Sequence, residues 1–443
     1  MIINFSIQNF GIIKERQTLS FEATKSKDLE DYYIVEPKKG LRLLKVALIY
    51  GANGSGKSTI LKALDFLREI VVSPLRSKNH TFDFKPFLFD EQTARENSSF
   101  SIEFVANKVR YLYEVELNKM AVVSEKLHFF NPNKALVYER TTDMDRQLSA
   151  IEFGSKIKID RDDKRVLEGN TLWNNTVLGA FSKSNLGSNE LAQVSQWFNV
   201  QLNTTIRPRT NLLNYVSEKM NYGQIKKANI VKFLKKADFK ISDVRVEEKR
   251  ERFREPVRYG YIQNDRPLSM AMEDIEDFTQ KNILDTHDIS FIHEIGEEND
   301  VKLFSLPYGE ESEGTQRYYQ MSGLLDFMIR KSMIFSIDEL ESSLHADLLK
   351  HFILTFLVNA KNSQLIATTH HRELLMERDI FRNDAIWFTE KQADGQATLF
   401  SLNDFDTSVI RDTSSVYNAY KVGKLGARPV LGDYFVDIDE TTY

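Results

Sequence analysis

The chain opens on alternation. Apolar and polar residues take turns through Ile2–Gln8, and Gln17–Phe21 is a second short run of the same kind, so both are predicted strands. The opening lacks a basic n-region, which makes it a strand and not a signal peptide. Residues 24–40 are charged and read as a loop. From Leu43 the pattern turns nearly continuous: LLKVALIYG reads as a buried strand, and ILKALDFL after the glycine-rich turn reads as an amphipathic helix. Residues 73–98 are mostly loop, with Phe82, Phe84, Phe87 and Phe89 expected to pack in the core. From Ser99 the period returns to two, and FSIEFVA, RYLYEVEL, VVSEKLHFF and ALVYER predict an antiparallel meander. Between about 156 and 240 helical stretches take over (WNNTVLGAF, NELAQVSQWFNVQL, IKKANIVKFLKKA), without the sustained heptads of a long coiled coil. Ile289–Ile295 and Val301–Leu306 are strand-like again, and the remainder alternates helix and strand as parallel sheets do. The expected fold is α/β: a mixed sheet around the strand before the turn, an antiparallel β-subdomain and a largely helical insert. The expected division is 1–150, 151–290 and 291–443.

Composition narrows the class. The 443 residues are 42% apolar and 28% charged, an ordinary globular balance. No cysteine is present, which excludes disulfides, thiolate metal sites and a thiol nucleophile, and suits a cytoplasmic protein. No apolar run approaches the roughly 18 residues that a membrane span needs. A net charge of −5 argues against a globally basic nucleic-acid binder. Locally, Lys226 to Arg258 holds twelve Lys/Arg against six Asp/Glu, a net of +6. Lys226, Lys227, Lys232, Lys235 and Lys236 can line one side of a helix. A solvated face is the ordinary meaning of such a run, and a DNA or RNA partner is the sharper one. The acidic stretch Glu273 to Asp300 follows and can pair with it.

Four stretches carry chemistry. Gly51, Gly56, Lys57 and Ser58 fit the P-loop pattern G-x-x-x-x-G-K-[ST], set between strand and helix. Its glycines, Gly54 included, let backbone N–H groups turn inward on a phosphate. Lys57 supplies a mobile cation, and Ser58 a hydroxyl for Mg²⁺. In MIFSIDELESSLH, a buried strand ends in Asp338-Glu339. Asp338 would hold the metal, and Glu339 could polarise the attacking water. TTHH follows the apolar strand QLIAT. A histidine there can hydrogen-bond a γ-phosphate, with His370 the better placed and His371 the alternative. In ESEGTQRYYQ, Ser312 can cap a helix running to Arg330, and Gly314 permits close backbone approach. The plain reading is an N-cap; the sharper one is a helix start that meets a γ-phosphate across a dimer interface.

In this order the motifs resemble the ABC-type ATPases, and more narrowly the bacterial SMC/RecF/OLD-like branch (AAA types 15 and 21). IQNFGIIKE, LPYGEESEGTQR, IDELESSLH, ATTHHRELL, RNDAIWFTEK and YKVGKLGARPVLGDY all carry the likeness, and only about 150–285 matches poorly. The resemblance implies an ATP- and Mg²⁺-dependent ATPase. Asn53, Gly54, Ser55, Gly56, Lys57, Ser58 and Thr59 would wrap the phosphates and metal. Ser312, Gly314 and Thr315 would form the signature that closes over ATP bound to a second subunit. Asp338 and Glu339 would be the metal and water residues. Ser342, Ser343, Leu344 and His345 would be the D-loop crossing the dimer seam, and His370 the switch histidine. The branch includes the ATPase half of two-gene phage-defence systems of the Rlo or abortive-infection type. It therefore implies a homodimer or higher homo-oligomer working with a separate, nuclease-like effector from a neighbouring gene. The alternative is a DNA-repair or recombination ATPase acting directly on DNA.

Two departures stand out. Glu311 and Glu313 replace the Leu and first Gly of the transporter signature L-S-G-G-Q, which adds negative charge near the γ-phosphate and disfavours a transporter motor. No Q-loop glutamine is identifiable, Gln92 being a candidate on position alone. With 73 residues after His370, a built-in nuclease domain is not expected.

Overall fold

Val46–Gly51 is buried at every position, and a strand with no solvent face needs neighbours on both sides and covered faces. The computed structural model, which describes residues 1–252, 283–296, 301–377, 380–405, 416–421 and 424–425, supplies them. Gln364–Thr368 pairs with it in parallel on one side and Ile386–Lys391 on the other. Ile334–Ile337 lies beyond Gln364–Thr368, also parallel, and Ala397–Ser401 closes the opposite edge antiparallel. This mixed five-stranded sheet has a ragged extension beside Ile334–Ile337. There Leu202 and Ile206 make parallel bridges to Ile334 and Ile337.

The P-loop strand is shorter than LLKVALIYG suggests. Leu41–Leu44 pairs instead with Ile34–Lys38, and a one-turn helix, Glu30–Tyr33, precedes that hairpin, so residues 24–40 are not all loop. The break falls at Lys45, which is buried. Its Nζ donates to the carbonyls of Leu357 (2.6 Å) and Ala360 (2.9 Å) at the end of helix Ala346–Asn359. Burial lowers its pKa to about 8, and a helix C-terminus is where an ammonium finds unpaired carbonyls.

The meander forms a second, seven-stranded antiparallel sheet. It runs Leu148–Phe153, Lys134–Asp143, Val122–Phe130, Val109–Leu117, Ser98–Ala106, Ile2–Gln8 and Gln17–Ser20. The P-loop helix, Lys57–Val72, buries Ile60, Leu61, Leu64 and Leu67. Its Phe66 meets Phe10, Phe82, Phe84 and Phe100 at ring separations of 5.0–6.0 Å. Phe87 is also buried. Phe89 is 64% exposed and shields Gly395, so it is not core.

The middle of the chain carries helices Arg161–Asn170, Val177–Phe181, Asn189–Gln196, Leu213–Asn221 and Lys227–Lys236. A three-stranded antiparallel sheet follows: Ile241–Arg252, Ile283–Ile295 and Lys302–Pro307. One buried carboxylate fastens the helices to the meander. Glu125 accepts the hydroxyls of Tyr113 (3.0 Å) and Tyr138 (2.6 Å) and the N–H of Val177 (2.8 Å). Lys226, Lys227, Lys232, Lys235 and Lys236 are all exposed, and Lys227 pairs with Asp243 at 2.8 Å. Residues 253–258 of the basic run, half of the acidic stretch 273–300, and most of YKVGKLGARPVLGDY lie outside the described residues. Among the described residues, no helix is long and apolar enough to cross a membrane.

Candidate functional site

The glycine-rich turn joins the strand Val46–Gly51 to the P-loop helix at the carboxyl end of the parallel strands, where α/β sheets place their ligand sites. Gly56 caps the helix with φ +114°, and a Cβ there would stand 2.7 Å from that of Ala397. No other residue fits both constraints. Asn53 and Gly54 are exposed at the crest, Ser55 and Gly56 are buried, and Ser58 and Thr59 are half-buried. The Ser55 hydroxyl bonds that of Thr389 at 2.6 Å, which pins the turn to the neighbouring strand. Lys57 folds back over the turn, its Nζ donating to Gly51 O (2.9 Å) and Ala52 O (3.0 Å). Burial lowers its pKa, while the charges of Asp338, Glu339 and Glu341 oppose the shift.

The two acids are tied to each other through one threonine, and Asp338 is tied directly to the P-loop helix. Asp338 Oδ1 accepts the Ser58 hydroxyl (3.1 Å) and the Thr368 hydroxyl (2.6 Å). The Thr368 oxygen in turn accepts the N–H of Glu339 (2.8 Å), and its carbonyl accepts that of Leu340 (3.0 Å). Glu339 is exposed and holds a left-handed backbone, φ +50°, a strained setting for a side chain. On the other flank, Asp338 N–H donates to Ile206 O at 2.8 Å. Thr368, Thr389 and Ile206 were not legible as site residues. Each acts through a bond to a partner far off in sequence, although Thr368 does sit within the ATTHH stretch.

His370 lies at the end of the switch strand, with its backbone N–H on Glu341 Oε1 (2.6 Å). Burial and then Lys57 lower its pKa, opposed by Glu341, Glu339 and Asp338. In the D-loop, Ser342 N–H donates to Glu339 O (2.8 Å), Ser343 is left-handed at φ +61°, and Leu344 is buried. His345 caps helix Ala346–Asn359. In the signature, Ser312 caps helix Glu313–Arg330, with its Oγ accepting Thr315 N–H (3.2 Å) and bonding the Thr315 hydroxyl (2.8 Å). Gly314 faces the D-loop, and a Cβ there would reach 3.4 Å from Ser343 O. Among the described residues, no hydrogen bond links this signature to the P-loop of its own chain. Glu311 is turned to His293 (2.6 Å), so its charge is engaged within the chain and not left bare beside the helix start. Gln92 is exposed and reaches Glu96 at 3.5 Å.

The fold defines an ABC-type P-loop ATPase class, with strands Ile334–Ile337, Gln364–Thr368 and Val46–Gly51 side by side in one sheet. The chain belongs to the family described as "AAA domain, putative AbiEii toxin, Type IV TA system", whose profile matches residues 46–377. No curated protein matches the sequence. Among solved structures, the SMC head domain from Thermotoga maritima is similar at 12% identity and TM-score 0.40, covering 90% of this chain and 98% of that one. The SMC head bound to the C-winged helix domain of ScpA is similar at 14% identity and TM-score 0.43, covering 91% and 99%. The Smc head with an extended coiled coil bound to the C-terminal domain of ScpA, derived from Pyrococcus furiosus, is similar at 13% identity and TM-score 0.38, covering 91% and 97%.

Proposed function

We propose that the chain hydrolyses ATP and uses the nucleotide to open and close a twofold dimer. The observation that carries this reading is the hydrogen-bonded run Ser58–Asp338–Thr368–Glu339, which joins the P-loop helix, the metal acid and the water-directing acid across three elements. A hydroxyl and a carboxylate oxygen are hard donors that fit Mg²⁺. Ser58 and Asp338 would hold that ion, which when bound offsets phosphate charge. Lys57 exchanges its carbonyl partners for the β- and γ-phosphates, as the turn residues 53–59 wrap them. Glu339 orients and polarises the attacking water, and His370 donates a hydrogen bond to the γ-phosphate. A second copy lends Ser312, Gly314 and Thr315 across the seam, with Ser342 to His345 beside them. Loss of the γ-phosphate removes the contacts that favour closure. Substituting Glu339→Gln should keep ATP binding and trap the closed dimer, read as mass by light scattering with and without ATP. Turnover equal to that of the wild type would sink the assignment, as would unchanged nucleotide affinity in Lys57→Ala.

The biological reading we favour is a sensing or effector-holding module in antiviral defence, with the middle segment docking a separate effector from the adjacent gene. It is supported by the family to which the chain belongs. Co-expression with the neighbouring gene product should give a co-purifying complex, and full protection by the ATPase alone would refute it. The five exposed lysines at 226–236 favour a second reading, direct action on DNA. That reading requires DNA-stimulated turnover which falls steeply with salt.

A further inference from the structure

Glu341 sits in the same turn as the two acids, and no step above uses it. Its Oε1 accepts the backbone N–H of His370 at 2.6 Å, while its Oε2 is buried and accepts nothing. Its own carbonyl accepts Leu344 N–H at 2.8 Å, which closes the D-loop turn. One side chain thus ties that turn to the start of the switch loop. Its bond to the His370 N–H places the carboxylate at the end of the switch strand, and its charge acts on Lys57, His370 and Tyr50. A buried acceptor without a donor disfavours the folded chain. A residue kept there for packing alone would serve better as an apolar one.

We propose that Glu341 is a positioning residue for hydrolysis, holding the His370 backbone so that the imidazole faces the γ-phosphate and moves together with the D-loop. This rests on the ATPase reading above. Ser343, two residues on, lies against Gly314, so the same tie puts the switch histidine in register with the signature. The Glu341 side chain spans from the turn to the His370 N–H, so a shorter or apolar residue there would leave that N–H without this acceptor.

The test compares Glu341→Gln, which keeps an acceptor, with Glu341→Met, which fills the space without one; Glu341→Ala is a second acceptor-free variant should the Met variant fold poorly. Three quantities are read: amide hydrogen exchange at His370, ATP affinity, and turnover. The Met variant should lose protection at His370 and fall at least about tenfold in turnover, with ATP affinity within about threefold of wild type. The Gln variant should keep the protection and most of the turnover. Unchanged His370 protection in the Met variant would overturn the proposal, and so would equal loss of turnover in both variants. If the wild type itself shows no turnover, the ATPase reading fails, and the exchange measurement alone still decides whether Glu341 holds the switch loop.

Discussion

Replacing Thr368 by valine tests the centre of the site. Thr368 is fully buried, and its one hydroxyl serves both acids. Valine keeps the shape and removes both bonds. A hydrogen bond to a carboxylate is worth about 1.5–3 kcal/mol, and one between neutral groups about 0.5–1.5 kcal/mol. Losing the pair should cost about 2–4 kcal/mol of stability, read by urea unfolding. Were all of that energy expressed in the barrier, turnover would fall by about 30- to 1,000-fold, at about 1.36 kcal/mol per decade. Asp338 retains Ser58, and the backbone bond from Leu340 N–H to Thr368 O survives. The expected loss therefore has a floor of about tenfold. ATP affinity should stay within about threefold, because Lys57 and the turn amides are untouched. Thr368→Ser should restore most of the turnover. A valine variant that is destabilised yet turns over like the wild type would show the hydroxyl to be structural only, and the proposed coupling of the two acids would be wrong.

Further expectations follow from the same geometry. Gly56→Ala places a Cβ 2.7 Å from Ala397 at φ +114° and should destabilise by about 1–3 kcal/mol while abolishing ATP binding; retained binding by calorimetry would contradict the close approach. Burial raises the Asp65 carboxyl from 3.8 to about 6, against the Thr205 donors and the charges of Arg207 and Arg68. The folded chain therefore holds that proton more tightly than the unfolded one, and the residue's contribution declines as pH rises from about 4 to about 6. Asp65→Asn removes that decline, so its stability relative to wild type should rise by on the order of 2–3 kcal/mol between pH 4 and pH 7; a difference independent of pH would refute the assignment. His293→Ala leaves the Glu311 carboxylate unpartnered at the signature and should weaken ATP-driven association, measured by sedimentation; association equal to wild type would show that Glu311 lies away from the seam.

Much of the fold was readable because its signals are local. Six buried residues before a glycine-rich turn can hardly be anything but a central strand, and the period of two from Ser99 onward is a meander wherever it occurs. The meeting of Ser58 with Asp338 was legible for the same reason, since residue types that suit a phosphate and a metal stand at close spacing within each motif. What escaped depends on partners distant in sequence. Thr368 bonds Asp338 across 30 positions, and Thr389 bonds Ser55 across 334. Neither has a composition that sets it apart from an ordinary strand threonine. Lys45 looked like part of a continuous strand because nothing nearby reveals the helix end that receives it. Strand Ile241–Arg252 is dense in alternating charges, and only its antiparallel partner Ile283–Ile295 makes it a strand.

The contact between Ile206 O and Asp338 N–H has a mechanical meaning. Residues 202–206 emerge from the helical segment and lie directly along the strand that leads into Asp338, so the two are connected. The segment bonds Ile334, Ser336 and Asp338 along that strand, and Arg68 and Asp65 of the P-loop helix through Leu202 and Thr205, so a load on it is shared between the strand and the helix. On the ATPase reading proposed above, a protein that pulls on the segment would act on the site without touching the nucleotide.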